Sequence, residues 1–134
     1  MNEPVAYQMK LAGSAQIALG ATTTVYTDTY RFGDADYFAL SYKVACTGTP
    51  SVKIEMEQSI VLPAAGNENA ADDNFGVPKT IGNIETALTS KTIQHMQLSP
   101  VTLTYVRFKI TENTGTVTDT VVNMWLSLQK KFTQ

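Results

Sequence analysis

The residues able to do chemistry are few, and their spacing brings none of them together. The chain holds one cysteine, Cys46, and one histidine, His95. A cysteine nucleophile needs a basic partner and access to solvent. Nothing in the sequence ties His95 to Cys46, and Cys46 ends an apolar alternation, so it reads as a small buried hydrophobe. His95 lies in the polar stretch 92–97 and reads as a surface or contact residue. Glu68, Asp72 and Asp73, set among Asn67, Asn69 and Asn74, offer hard oxygen donors of the kind calcium takes. Their spacing lacks the alternate acids and distal glutamate of an EF-hand loop. They are the best metal candidates, weaker than the default reading of a solvated loop, and Asp34 with Asp36 at a turn is a similar weak signal. Glu55 and Glu57 have the look of a paired-carboxylate site for glycoside cleavage. Lys53 shares their parity, however, and the three read as a solvated strand face with cross-strand partners such as Arg107 and Lys109. Gly-rich phosphate loops, nucleophile elbows and HExxH patterns do not occur. The expectation is no catalytic residue, no cofactor and no enzyme.

Composition narrows the remaining classes. Hydrophobic residues make up 43% of the 134 residues and charged residues 16%. The charged share is below the usual value of about 25%, which argues against a solvated disordered chain. Ten basic residues face twelve acidic ones, for a net charge of -2, so there is no basic footprint for nucleic acid. No apolar run approaches the roughly 20 residues of a membrane helix. No basic start, apolar run and cleavage site occur together at the N-terminus, so no signal peptide is expected.

The elements that must position these residues are strands. There are 19 threonines, and β-branched residues favour extended backbone. Phe38, Leu40, Tyr42, Val44 and Cys46 alternate with more polar residues, and after the turn residues 47–50 Val52, Ile54 and Met56 alternate with Lys53, Glu55 and Glu57. Together these predict a hairpin. A second hairpin is predicted from Val106, Phe108 and Ile110, the turn 111–115, and the strand 120–128. That last strand has Val122, Met124, Leu126 and Leu128 on one face and Val121 and Trp125 on the other, which suits a central or oligomer-facing position. The N-terminal segment reads either as two short strands or as one strand interrupted at Gly13. Residues 23–32 read as a further strand with Tyr26, Tyr30 and Phe32 on one parity, weakened by Asp28 on the same parity. Residues 63–76 form a long polar loop with no basic residue. Ile81, Ile84 and Leu88 at i, i+3, i+7 predict one short helix near 80–90, capped by Thr80. The fold expected is an all-β, two-sheet antiparallel β-sandwich of about eight strands, jelly-roll or immunoglobulin-like, spanning 1–134 as a single domain with 1–13 as an N-terminal arm.

The segments 37–44, 47–59, 105–110 and 121–128 resemble small β-sandwich structural proteins of tailed-phage and prophage particles, of the capsid-decoration, head-fibre or tail-associated type. The resemblance runs from Tyr37 to the last residue. It implies a virion component made in the bacterial cytoplasm, which associates with itself as a homo-oligomer or with other virion proteins, and it carries over no catalytic residue. Large apolar groups facing outward mark interfaces, so the interface candidates are Val121, Trp125 and, on the arm, Tyr7. An arm of this kind can dock on a neighbour by strand addition. The alternative is a ligand-binding β-sandwich module. Carbohydrate is then the favoured ligand, carried by Tyr7, Tyr26, Tyr30, Tyr37, Tyr42, Tyr105 and Trp125, although core packing also explains these aromatics.

Overall fold

The computed structural model describes residues 5–8, 17–20, 23–31, 37–77, 83–98 and 104–129. These contain ten strands: β1 (Val5–Gln8), β2 (Ile17–Leu19), β3 (Thr24–Tyr26), β4 (Tyr30–Arg31), β5 (Tyr37–Ala45), β6 (Val52–Ser59), β7 (Asn83–Leu88), β8 (Gln94–Leu98), β9 (Tyr105–Glu112) and β10 (Thr120–Gln129). Sheet I has the order β1-β10-β5-β8, with β2 also on β10; sheet II has the order β3-β9-β6-β7, with β4 also on β9. Every pairing is antiparallel. The short strands combine into edges. β1 lies against Leu128 to Trp125 and β2 against Val122 to Thr120, so both flank the same side of β10. β3 and β4 flank β9 in the same way.

Counted as eight strand positions, the first pairs with the eighth, the second with the seventh, the third with the sixth and the fourth with the fifth. Alternate pairs fall into alternate sheets. This is one long antiparallel hairpin rolled up on itself, the connectivity of a jelly roll.

The rolled topology corrects both predicted hairpins. β5 and β6 do not pair, and neither do β9 and β10; each connection crosses from one sheet to the other. Alternation reports which side of a strand is buried, not which strand lies beside it. Phe38, Leu40, Tyr42 and Val44 of β5 and Val122, Met124 and Leu126 of β10 face Val52, Ile54 and Met56 of β6 and Val106, Phe108 and Ile110 of β9 across the core. The connections 46–51 and 113–119 are longer than the two to five residues usual for a hairpin loop.

The predicted helix near 80–90 is also corrected. Residues 83–88 are strand β7, paired with β6 through two register irregularities. Ile84 and Leu88 are buried in the sandwich core, and a spacing of four is also even, so it satisfies a strand as well as a helix. Ile81 and Thr80 lie outside the described residues, as do Gly13 and Phe32.

The predicted strand over 23–32 is broken at Thr27. Thr27 N donates to Phe108 O at 2.9 Å, and its hydroxyl accepts from Phe108 N at 2.9 Å. Tyr26 is opposite Lys109, whereas Tyr30 is opposite Val106, so four steps on one strand match three on the other. An odd insertion flips the faces. Tyr26 therefore lies on the outer surface of sheet II, while Tyr30 packs against the core.

The sheets are tied together by polar contacts as well. Tyr42 of sheet I donates to Glu85 Oε1 of sheet II at 2.6 Å. Its burial, then this hydrogen bond and the carboxylate's charge, push the phenol well above its ordinary range.

Candidate functional site

Two surfaces stand out, on opposite sides of the sandwich. The first is the outer face of sheet I. Even positions of β5 and β10 fill the core, so odd positions project outward. Register places Trp125, Ser41 and His95 in one row across β10, β5 and β8. Asn123 and Lys43 form the row on one side; Ser127, Ala39 and Gln97 form the other. Val121 lies between Ala18 and Ala45. Trp125 and Val121 are half-buried, while Lys43, Ala45, His95 and Gln97 are exposed. Ser41, Ala39 and Ser127 give the indole short neighbours on the β5 side, while Asn123 and Lys43 form the longer-chained row beside it. Among the described residues this face carries one lysine, one histidine and no carboxylate.

Ser41 Oγ and His95 Nδ1 are 2.7 Å apart. A hydroxyl beside an imidazole is the first requirement of a nucleophile and base. Here the pair lies on an open sheet, and its neighbours in the adjoining rows are Lys43, Gln97 and Ala39, with no carboxylate beside the ring among the described residues. His95 thus meets Ser41 rather than Cys46. Cys46 itself is corrected: it is half-buried just beyond the end of β5, where its thiol donates to Gly48 O at 3.0 Å. Nearby, Lys91 Nζ donates to Cys46 O at 2.9 Å, and Asp119 accepts from both the hydroxyl and the backbone N of Thr47. The Thr47 hydroxyl, with its amide and Lys91 behind it, holds the Asp119 carboxyl below the ordinary range. These contacts tie the connections at one end of the sandwich.

The second surface is the loop 60–77, which leaves β6 at the opposite end and returns to it. Gln58 N donates to Gly76 O at 2.9 Å and Gly76 N to Gln58 O at 3.1 Å, so the ends meet as in a compact Ω-loop. Its sequence is small and polar, yet it is firmly held. Asp72 is buried and accepts from Ala64 N at 2.9 Å, Asn67 Nδ2 at 3.1 Å and Asn74 N at 2.8 Å. These bonds, led by Ala64 N and followed by Asn74 N and the Asn67 amide, hold its carboxyl below the ordinary range, with Arg107 assisting. Gly66 sits at φ +91°, a conformation that glycine adopts without strain.

The loop lies over Arg107, and this corrects the solvated reading of that strand face. The partner was legible: Glu57 stands opposite Arg107, and Glu57 Oε1 accepts from Arg107 Nε at 2.8 Å. The exposure was not. Arg107 is 0% exposed and Glu57 8%. The guanidinium lies between the rings of Tyr26, at 4.3 Å, and Phe75, at 4.5 Å, and its Nη1 donates to Asn67 O at 3.1 Å. A planar cation stacked on both faces is a role for arginine rather than lysine.

The first three residues of the loop present an apolar tip to solvent. Ile60 is 72% exposed, Val61 43% and Leu62 58%. Beside them a cleft of about 250 Å³ is lined by Asp28, Thr29, Leu62, Pro63 and Glu68. Sequence reasoning passed over this tip. The signal was there, since three consecutive aliphatics before a proline break the alternation of β6.

Of the calcium candidates, Asp72 is committed to the loop's own amides, Glu68 Oε2 accepts from Gly66 N at 3.0 Å, and Asp73 is exposed. Among the described residues no three His, Cys, Asp or Glu side chains converge as a metal site. The tyrosines do not form one platform: Tyr42 is in the core, Tyr26 covers Arg107, Tyr30 packs on the core and Tyr105 is half-buried. The side chains of Tyr7 and Tyr37 lie outside the described residues. The arm residues 5–8 run along β10, with Gln8 opposite Trp125.

No protein family and no curated protein matches the chain. Solved structures that it resembles include dimeric latent PorU from Porphyromonas gingivalis, at 9% identity and a TM-score of 0.41, covering 97% of this chain and 13% of that one. The catalytic domain of a GH87 α-1,3-glucanase in complex with tetrasaccharides is similar at 13% identity and a TM-score of 0.35, covering 97% of this chain and 28% of that one. The chain thus spans a small part of each.

Proposed function

We propose that this chain is a non-enzymatic structural protein that assembles through the outer face of sheet I, as a virion component of a phage or prophage particle, self-associating or decorating. The observation that carries the reading is the face itself: Val121 between Ala18 and Ala45 and Trp125 beside Ser41 are half-buried on a regular sheet that has no carboxylate among its described outward residues. Tryptophan is among the residue types enriched at the energetic centre of protein interfaces. The phage assignment is supported by the resemblance of segments 37–44, 47–59, 105–110 and 121–128, and by a rolled topology shared with viral capsid domains. Fold likeness by itself is analogy, so the assembly reading rests on the face.

Trp125 is the sole tryptophan, which makes the reading directly testable. Its emission should shift to the blue as the protein is concentrated and the indole is covered. Emission that stays unchanged over the whole range, with no other virion protein added, refutes self-association through this face.

A second reading has one observation in its favour. Trp125 shares its row with the Ser41–His95 pair and adjoins Asn123, so an indole plane and hydrogen-bonding groups lie together as a sugar ring would need. A glycan screen read by the same fluorescence decides it: quenching by a defined oligosaccharide supports it, and no response across the screen removes it.

A further inference from the structure

We infer that copies of this chain join head to tail, the apolar tip formed by Ile60, Val61 and Leu62 of one copy seating on the Trp125 face of the next. The inference rests on the assembly reading above and names the partner surface. Three consecutive exposed aliphatics need a cover. The tip is also rigidly presented, because the loop is closed at Gln58 and Gly76, pinned by Asp72 and stacked on Arg107 through Phe75. A preformed tip loses little freedom on docking.

Charge selects the occupant. The loop 60–77 contains Glu68, Asp72 and Asp73 and no basic residue, and Asp28 rims the cleft beside Leu62. Two such tips repel one another. The face of sheet I is the complement, with Lys43 exposed next to the Trp125 row and no carboxylate among its described residues. The acid-rimmed cleft beside the tip is suited to a lysine ammonium. Shape agrees on the β5 side, where Ala39, Ser41 and Ser127 are the short neighbours of Trp125 and Ala45 that of Val121, a surface that aliphatic side chains can meet. Tip and face lie on opposite sides of the sandwich, because the loop covers the outer surface of sheet II at Arg107. Unlike patches on opposite sides make a heterologous contact, which grows into a ring or a filament.

The test uses two variants of the full chain. Ile60→Asp with Leu62→Asp removes the tip, and Val121→Asp with Trp125→Ala removes the face. Leu62→Ser alone and Trp125→Ala alone replace them if circular dichroism shows that either is unfolded. Sedimentation velocity should show assemblies for the unaltered chain and monomers for each variant alone. An equimolar mixture of the two variants should give a dimer and nothing larger, because only one intact tip and one intact face remain to meet. If the unaltered chain assembles but the mixture stays monomeric, or if the tip variant alone still assembles, the head-to-tail contact is refuted while assembly through the face stands. If the unaltered chain is a monomer at every concentration, the head-to-tail contact and self-association through the face both fail, and of the assembly reading only decoration of another protein is left.

Discussion

Arg107 gives the sharpest test of how the loop is held. In Arg107→Met the stem still fills the slot between Tyr26 and Phe75, but the ion pair with Glu57 and the bond to Asn67 O are gone. Glu57, 8% exposed, is left as an unpaired carboxylate. Removing one partner of a buried pair costs about 3–5 kcal/mol. Glu57 retains some contact with water, so the lower end, about 3 kcal/mol, is expected. Arg107→Lys keeps the charge but loses the planar stack and the fork, for a loss of about 1–2 kcal/mol. Adding Glu57→Gln to Arg107→Met should restore about 1–2 kcal/mol, because the stranded charge disappears. Urea unfolding measures all three, and amide exchange at Gly76 and Gln58 reports whether the loop opens first. A loss below about 1 kcal/mol in Arg107→Met, the value of a surface pair, would show that the cation is not the loop's anchor.

The other perturbations probe separate contacts. Asp72 has a lowered pKa in the fold, so its contribution is complete above about pH 4, where the unfolded aspartate is ionised, and is lost as pH falls through the folded value; acid titration of loop proteolysis should show this step, and Asp72→Asn should abolish it. Tyr42 titrates above its unfolded value, so its stabilisation is full below about pH 10 and declines as pH rises beyond it. Tyr42→Phe removes the bond to Glu85 and should cost about 1.5 kcal/mol in urea unfolding while flattening that alkaline decline. A Cβ on Gly66 meets nothing within 4 Å, so the cost of Gly66→Ala comes from its positive φ alone, about 1 kcal/mol; a neutral or stabilising result would show that the turn rearranges freely.

The sandwich was readable because burial on one face imposes alternation, and β5, β6, β9 and β10 show it residue by residue. Their pairing was not readable. Two strands that face each other across a core and two that lie side by side have the same pattern, and this turned crossings at 46–51 and 113–119 into hairpins. Ile84 and Leu88 fit either period, and the tertiary contact with β6 decided for strand. The extra residue at Thr27 separated Tyr26 from Tyr30 because a hydroxyl replaced a backbone partner, which no pattern count detects. On the functional side, the outward Trp125 and Val121 were visible as a parity that had no reason to be apolar. The ordering of loop 60–77 was hidden, because its anchor, Arg107, is a charged residue distant in sequence and reads as solvated until Phe75 covers it.

The most direct measurement is the solution mass of the unaltered full chain by light scattering over a wide concentration range, with Trp125→Ala run beside it. The account predicts species larger than 14.6 kDa that grow with concentration, and a return to the monomer mass in the variant. A constant monomer mass for the unaltered chain, or assemblies that persist without Trp125, would contradict it.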